Sequence, residues 1–168
     1  MNRLWAPWRL KYILDDSALG KDEKICIFCF YPSQQRGEDK DNLVLYRGKL
    51  SFIMMNRYPY NTGHIMVAPY RHTSTFQDLS KEELEDISLL MKAGIRALNE
   101  SFEPEGLNIG INQGKIAGAG YEEHIHVHIV PRWNGDTNFM PVVGDTKVLP
   151  ESLPDTYDRI KEKMHEAY

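Results

Sequence analysis

Cysteine is scarce in this chain. Only two occur in 168 residues, Cys26 and Cys29, so no framework of several disulfides staples the fold. Their C-x-x-C spacing in a reducing compartment favours a metal or a redox role over a structural disulfide. Long apolar runs are missing too, and nothing approaches the length that crosses a bilayer. The N-terminus, Met1 to Arg9, carries charge but lacks the apolar stretch of a signal peptide, so the expectation is a cytoplasmic protein. Positive charge is not in excess. A formal net charge of -4 and a pI near 5.9 lack the basic footprint that a long nucleic acid requires, though a nucleotide needs only a local polar pocket. There is no internal repeat and no low-complexity tract. The length fits one domain with a core that needs no disulfide.

What the chain does have is histidine in one place. His124-Ile125-His126-Val127-His128-Ile129-Val130 alternates imidazole with apolar side chains, the period of a β-strand. Read as a strand from His124 onward, it sends three imidazoles to one face and Ile125, Val127 and Ile129 to the other. One face enters a core; the other lines a polar cleft. Crowded imidazoles are a poor packing choice and a good choice for nucleophilic, acid–base or metal chemistry near neutral pH.

The remaining pattern predicts an α+β fold. Leu43–Tyr46 and Leu50–Met55 read as strands turning at Arg47-Gly48-Lys49, and His64–Ala68 as a third strand stopped by Pro69. Ser80-Lys81-Glu82-Glu83 is a capping box that opens a helix over about 81–100, with Leu84, Ile87, Met91, Ile95 and Leu98 on one face. Leu107, Ile109 and Ile111 alternate with Asn108, Gly110 and Asn112 in a strand whose apolar face the helix is expected to cover. Leu153, Tyr157, Ile160 and Met164 mark a terminal helix over 153–167. The expectation is an antiparallel sheet with a long covering helix and a C-terminal helix. Residues 1–24 read as an arm and linker, 25–135 as the core and 136–168 as a C-terminal extension. Trp5, Trp8 and Tyr12 give the arm an aromatic, basic character suited to packing on its own domain or on a partner subunit. Glu82, Glu83, Glu85 and Asp86 read as a solvated face in the helix's first turns, where the dipole favours acids.

Two chemistries suit the histidine face. A neutral imidazole can attack phosphorus without first losing a proton, forming a phosphoramidate that a second acceptor breaks. That site needs donors for the phosphate oxygens, which His128, Asn112 and the amides of Gly118-Ala119-Gly120 could supply. Alternatively, His-x-His could chelate a metal.

The run also matches the histidine-triad (HIT) motif, His-φ-His-φ-His-φ-φ with φ apolar. Asn61-Thr62-Gly63-His64-Ile65-Met66-Val67-Ala68-Pro69 resembles an earlier strand of that family, and Gly106 to Gly114 the strand before the triad. Cys26-Ile27-Phe28-Cys29 resembles the cysteine pair of its zinc-bearing members. The similarity spans about residues 25–132. Trp5-Ala6-Pro7-Trp8-Arg9, Ala117-Gly118-Ala119-Gly120-Tyr121 and Pro131 to Phe139 resemble the branch containing diadenosine tetraphosphate phosphorylases. The resemblance implies that His126 is the nucleophile toward the α-phosphate of a nucleotide substrate. It implies that His128 holds phosphate oxygens and that His64 approaches from a neighbouring strand. Asn112 would contact phosphate or ribose, and Asn56 the ribose. It also implies a homodimer with sheets joined across the subunit boundary. The loop departs from the Gly-Gln-Ser or Gly-Gln-Thr of many hydrolytic members. That removes a hydroxyl from the leaving-group side and argues against a simple phosphoramidase.

Structural zinc takes four thiolate or imidazole ligands. Cys26 and Cys29 supply two, and His72 and His124 are candidates for the others, which leaves His126 for catalysis as in zinc-bearing HIT proteins. Buried thiols and a redox pair are the alternatives, the latter disfavoured because the flanks do not suggest a helix opening at the cysteines. Trp133 either borders the substrate or packs in the core. The expected function is nucleotidyl transfer from a dinucleoside polyphosphate such as diadenosine tetraphosphate through a covalent histidine intermediate. The alternatives are a hydrolase of dinucleoside polyphosphates or nucleoside phosphoramidates, a hydrolase using the triad as metal ligands, and a non-enzymatic nucleotide-binding protein.

Overall fold

The computed structural model describes residues 25–144, 146 and 148–164. The arm at 1–14, the linker up to residue 24 and positions 165–167 of the expected terminal helix lie outside the described residues. The elements are α1 (Ile27–Ser33), β1 (Val44–Arg47), β2 (Ser51–Met55), β3 (Ile65–Pro69), α2 (Lys81–Phe102), β4 (Gly106–Ile111), β5 (Val127–Arg132), α3 (Met140–Val143) and α4 (Leu153–Lys163). The strands form one antiparallel sheet in the order β1-β2-β3-β5-β4. The α+β reading holds.

Strand alternation sorts the side chains. Leu45, Ile53, Met55, Ile65, Val67, Ile125, Val127 and Ile129 enter the larger core beneath α2 and α4. Val44, Phe52, Met54, Met66 and Ala68 face the other way and pack with Phe28 of α1. The sheet is therefore covered on one face by two helices and on the other by a short helix beside a cleft. Gly94 allows α2 to lie close: a β-carbon there would stand 2.7 Å from the Ile65 Cδ1 atom. At the β1 edge, Tyr157 and Lys161 of α4 donate to the Val44 and Leu45 carbonyl oxygens at 3.0 and 2.6 Å, which occupies that edge.

Four expectations need correction. The ladder of the histidine strand begins at Val127 rather than His124. Its partner β3 ends at Pro69, and the amide of Ile125 instead donates to the Thr73 carbonyl at 2.6 Å. The alternation of faces nonetheless continues through 124–126. Second, the cysteines do open a helix, with Cys26 at the N-cap of α1. Its seven residues are too few for a helical period to show. Third, α2 lies over β2, β3 and β5, and Ile109 and Ile111 of β4 remain 46% and 36% exposed. Fourth, the acidic turn is not all solvated. Glu83 and Asp86 are buried, since they share the inward face with Ile87 and Leu90. The Asp86 carboxylate accepts from Ser51 Oγ at 2.5 Å and the Leu50 amide at 3.0 Å.

Glu83 completes the capping box with Ser80 and accepts two bonds from the Arg71 guanidinium, at 2.9 and 2.7 Å. Arg71 chiefly, with the Ser80 amide, holds its carboxyl below the usual range. A depressed carboxylate contributes stability above its unfolded value and loses it as pH falls through its folded value. Glu83→Gln is therefore expected to lower the melting temperature at neutral pH. Melts on a descending pH series should show the gap to the parent protein closing below the ordinary glutamate range.

Candidate active site and metal cluster

The triad is reached from three directions. His128 sits on β5, opposite Met66 of β3 and Gly110 of β4. His124 and His126 precede the ladder but keep its parity, so all three imidazoles share the face opposite Ile125, Val127 and Ile129. His64 stands at the start of β3.

Hydrogen bonds fix the proton positions of the rings. His126 Nδ1 lies 2.8 Å from the main-chain oxygen of His124. A carbonyl only accepts, so Nδ1 carries the proton and the lone pair of the neutral ring is on Nε2. Burial holds His126 below the ordinary imidazole range, partly opposed by that carbonyl, which favours the neutral form a nucleophile needs. A second chain of bonds sets His128. The Tyr60 amide donates to His64 Nδ1 at 3.1 Å, so His64 carries its proton on Nε2. That nitrogen donates to His128 Nδ1 at 3.0 Å and leaves His128 protonated on Nε2. The two rings thus differ: His126 offers a lone pair and His128 a donor.

A cleft opens on these rings, lined in part by His126, His128, Asn56 and Gly120. Most of its wall is aromatic or aliphatic, from Ile27, Phe28 and Tyr31 of α1, Leu43 and Met54 at β1 and β2, Met66 of β3, and Tyr58, Tyr60 and Tyr121 in loops. Arg57 is the one charged residue in the lining among the described residues, with its guanidinium 6.0 Å from the centre of the Tyr31 ring. A wall of this kind suits a flat base, and the imidazole end suits phosphate. Asn56 Oδ1 accepts from the Tyr58 amide at 2.9 Å, which orients its amide group.

Several expected residues stand back from the cleft. His64 is outside the lining and reaches it through His128 and through Tyr60, whose ring lies 4.6 Å from its own. Asn112 lies just past β4, near the start of β5, and Gly118, with φ +92, closes the 3-10 turn Lys115–Ala117; neither lines the cleft. Trp133 is half-buried and also outside the lining. The sequence reading missed the aromatic wall and Arg57. Their signal is dispersed over three segments that only the fold brings together.

Cys26, Cys29, His72 and His124 do converge. Their ligand atoms all lie within 4.8 Å of one another, a set that could hold a metal ion. The His124 Nε2–H donates to the Pro69 carbonyl at 2.9 Å, leaving Nδ1 to point at Cys26 Sγ, 3.4 Å, and Cys29 Sγ, 3.6 Å. Cys29 Sγ is 3.3 Å from His72 Nδ1. Second-sphere bonding through the distal nitrogen is how metal-bound imidazoles are usually held. Without a cation, burial pushes the Cys26 thiol up to about 11 and His124 down to about 4. Both groups are thus neutral, and a metal would bind by displacing the thiol protons.

The family model described as the HIT domain matches residues 37–135. This chain belongs to the HIT family. It is 39% identical over 158 residues to an AP-4-A phosphorylase of Mycobacterium tuberculosis, covering 93% of this chain and 80% of that protein. It is 30% identical to a bis(5'-adenosyl)-triphosphatase of Dictyostelium discoideum over 73% of this chain and 81% of the other. Among solved structures it is similar to a zinc-bound histidine triad protein of Mycobacterium smegmatis, with a TM-score of 0.60 and 25% identity over 73% of this chain and 83% of that one.

The proton pattern of this HIT site is open to measurement. In 15N NMR of the ring nitrogens, His126 is expected as the Nδ1–H tautomer and His128 as the Nε2–H tautomer. His64→Ala should leave His126 unchanged and let His128 exchange between tautomers. A His128 spectrum that ignored the substitution would contradict the relay.

Proposed function

We propose that this chain cleaves a dinucleoside polyphosphate, diadenosine tetraphosphate foremost, by passing a nucleotidyl group to His126 and then to inorganic phosphate. The observation that carries the reading is the His126 Nε2 lone pair, with no hydrogen-bond partner among the described residues, on an imidazole that lines the aromatic cleft. The similarity to an AP-4-A phosphorylase supports the substrate class.

The steps follow from the rings. His126 Nε2 attacks the α-phosphorus, an N–P bond forms, and the P–O bond to the leaving nucleoside polyphosphate breaks with its electrons on oxygen. His128 Nε2–H stabilises the phosphoryl oxygens as charge moves onto them. A phosphate oxygen then attacks the same phosphorus, the N–P bond breaks, and the lone pair returns to Nε2. With diadenosine tetraphosphate, the products are ATP and then ADP. Asn56 holds the ribose and Gly120 completes the phosphate side, whereas Asn112 and Gly118 stand outside the cleft lining. Water as the acceptor is the second reading, favoured by the similarity to a triphosphatase; it yields AMP in place of ADP.

His126→Ala is expected to lower turnover by on the order of 10⁴-fold or more with nucleotide binding retained. Product masses with and without phosphate then separate the readings. ADP that appears only with phosphate supports phosphorolysis, and AMP in both conditions supports hydrolysis. Unaltered turnover in the variant would overturn the mechanism.

The metal we infer is zinc, held by Cys26, Cys29, His72 and His124 in a two-thiolate, two-imidazole set. A zinc-bound HIT structure supports it. The ion supplies cross-linking rather than reaction chemistry, since its four ligands close the shell. Thiolate ligands stay reduced in the cytoplasm, where we place the protein; among the described residues no helix is long and apolar enough to cross a membrane. Elemental analysis is expected to find about one zinc per chain, and chelation to lower the melting temperature. Metal-free protein with an unchanged melt would refute the assignment.

We also infer a homodimer. The core at 25–135 leaves Ile109 and Ile111 exposed on the β4 edge strand, opposite in the sheet to the edge that α4 occupies. A second copy laid along β4 would join the sheets and bury them. Light scattering should report a dimer that Ile109→Asp converts to monomer. A monomeric parent protein would refute the dimer.

A further inference from the structure

Two polar residues of the cleft, Asn42 and Arg57, have no part in the chemistry at His126. Strand register shows where they stand. His128 of β5 is opposite Met66 of β3, Met66 is opposite Met54 of β2, and Met54 is opposite Val44 of β1. His128, Met66 and Met54 of that row line the cleft, as does Leu43 beside Val44. Three strand spacings, roughly 14 Å, separate the ends of the row. Asn42 adjoins Leu43 at the β1 end. The loop after β2 divides between the two ends. Tyr60 turns toward the imidazoles, its ring 5.8 Å from that of His128, whereas Arg57 Nη2 donates to the Asp41 carbonyl at 2.9 Å. Arg57 and Asn42 therefore share the end remote from the triad.

Both side chains have hydrogen-bonding capacity to spare. The Asn42 side-chain amide makes no hydrogen bond among the described residues. Its main-chain amide donates to the Glu38 carbonyl at 2.9 Å, which fixes the residue in place. Arg57 Nε and Nη1 likewise have no partner among the described residues. Around them the lining is Ile27, Leu43 and the Tyr31 ring, over which the guanidinium lies. Polar groups at the rim of such a slot meet the hydrogen-bonding edge of a flat ligand rather than its face.

We propose that Asn42 and Arg57 read the base edge of the nucleotide that His126 takes up, and that Arg57 makes the site favour a 6-oxopurine over adenine. The proposal rests on the functional reading above for the placement of the nucleotide. With phosphorus at His126 and the ribose at Asn56, the base lies at the β1 end. A side-chain amide can turn either its oxygen or its NH2 group toward the ligand, so Asn42 suits both purines. A guanidinium only donates, so Arg57 decides between them. Its fork matches the O6 and N7 acceptors of guanine, the pairing by which arginine reads guanine in nucleic acids. Adenine presents an NH2 group in place of O6, and one donor then faces another.

The experiment splits adenosine–guanosine tetraphosphate with inorganic phosphate and weighs the products. Guanylyl transfer to His126 releases ATP and then yields GDP; adenylyl transfer releases GTP and then yields ADP. ATP and GDP are expected in about 10-fold excess. Arg57→Leu should bring the two product pairs to parity, and so should Arg57→Lys, which keeps the charge but loses the fork. Calorimetry on the full chain gives a readout that needs no turnover. GMP and IMP, which share O6 and N7, should bind about 10-fold more tightly than AMP, and Arg57→Leu should remove the difference. Asn42→Ala should weaken GMP and AMP alike. Equal binding of the three nucleotides by the parent protein, or product parity from it, would overturn the proposal. So would an excess that Arg57→Lys retains, which would assign Arg57 to phosphate charge instead. Should the chain split no dinucleoside polyphosphate while the Arg57-dependent preference for GMP holds, the functional reading fails and the base assignment stands.

Discussion

The hydrogen bond from His126 Nδ1 to the carbonyl of His124, 2.8 Å long, is the constraint on which the site depends. It is a bond between two members of one alternating run, so the sequence that makes the strand also selects the tautomer. Were the proton on the other nitrogen, the ring would present a donor where the reaction needs a lone pair. A nucleophile made this way needs no adjacent base, because a neutral imidazole has no proton to surrender at the attacking atom. Burial strengthens the arrangement by disfavouring the charged ring.

The fold serves that bond by dividing the labour of the histidines. His124 lends its carbonyl to His126 and its ring to the cysteine pair. In the proposed mechanism His126 is left for phosphorus. His128 receives a proton-bearing nitrogen from His64, which is itself set by the Tyr60 amide. Around them the sheet keeps its apolar load on the far face, beneath α2 and α4, so the histidine face is free to carry α1 and the aromatic cleft. A short helix, a cysteine–histidine cluster and a base-shaped wall thus meet at one strand.

Much of this was legible in the chain. Alternation at 124–130 gave the two faces even though the ladder starts only at Val127, because parity survives beyond the hydrogen-bonded pairs. The capping box located α2, and the C-x-x-C spacing with His72 and His124 named all four members of the cluster. Other features were hidden for physical reasons. Helix α1 is too short for a period and contains Pro32. Glu83 and Asp86 look like solvent residues until Arg71 and Ser51 arrive from distant segments to satisfy them. The apolar residues of β4 promised a helix above them, but α2 covers the neighbouring strands instead. The cleft wall was least legible, since aromatic residues in three separate segments carry no local pattern.

The most direct test of the account is to trap the enzyme during turnover of diadenosine tetraphosphate by rapid acid-free quenching and to map the adduct by mass spectrometry. An adenylyl group on His126, absent from His126→Ala and discharged on adding phosphate, is the expected result. Full turnover with no adduct at that ring, or an adduct on another residue, would contradict it.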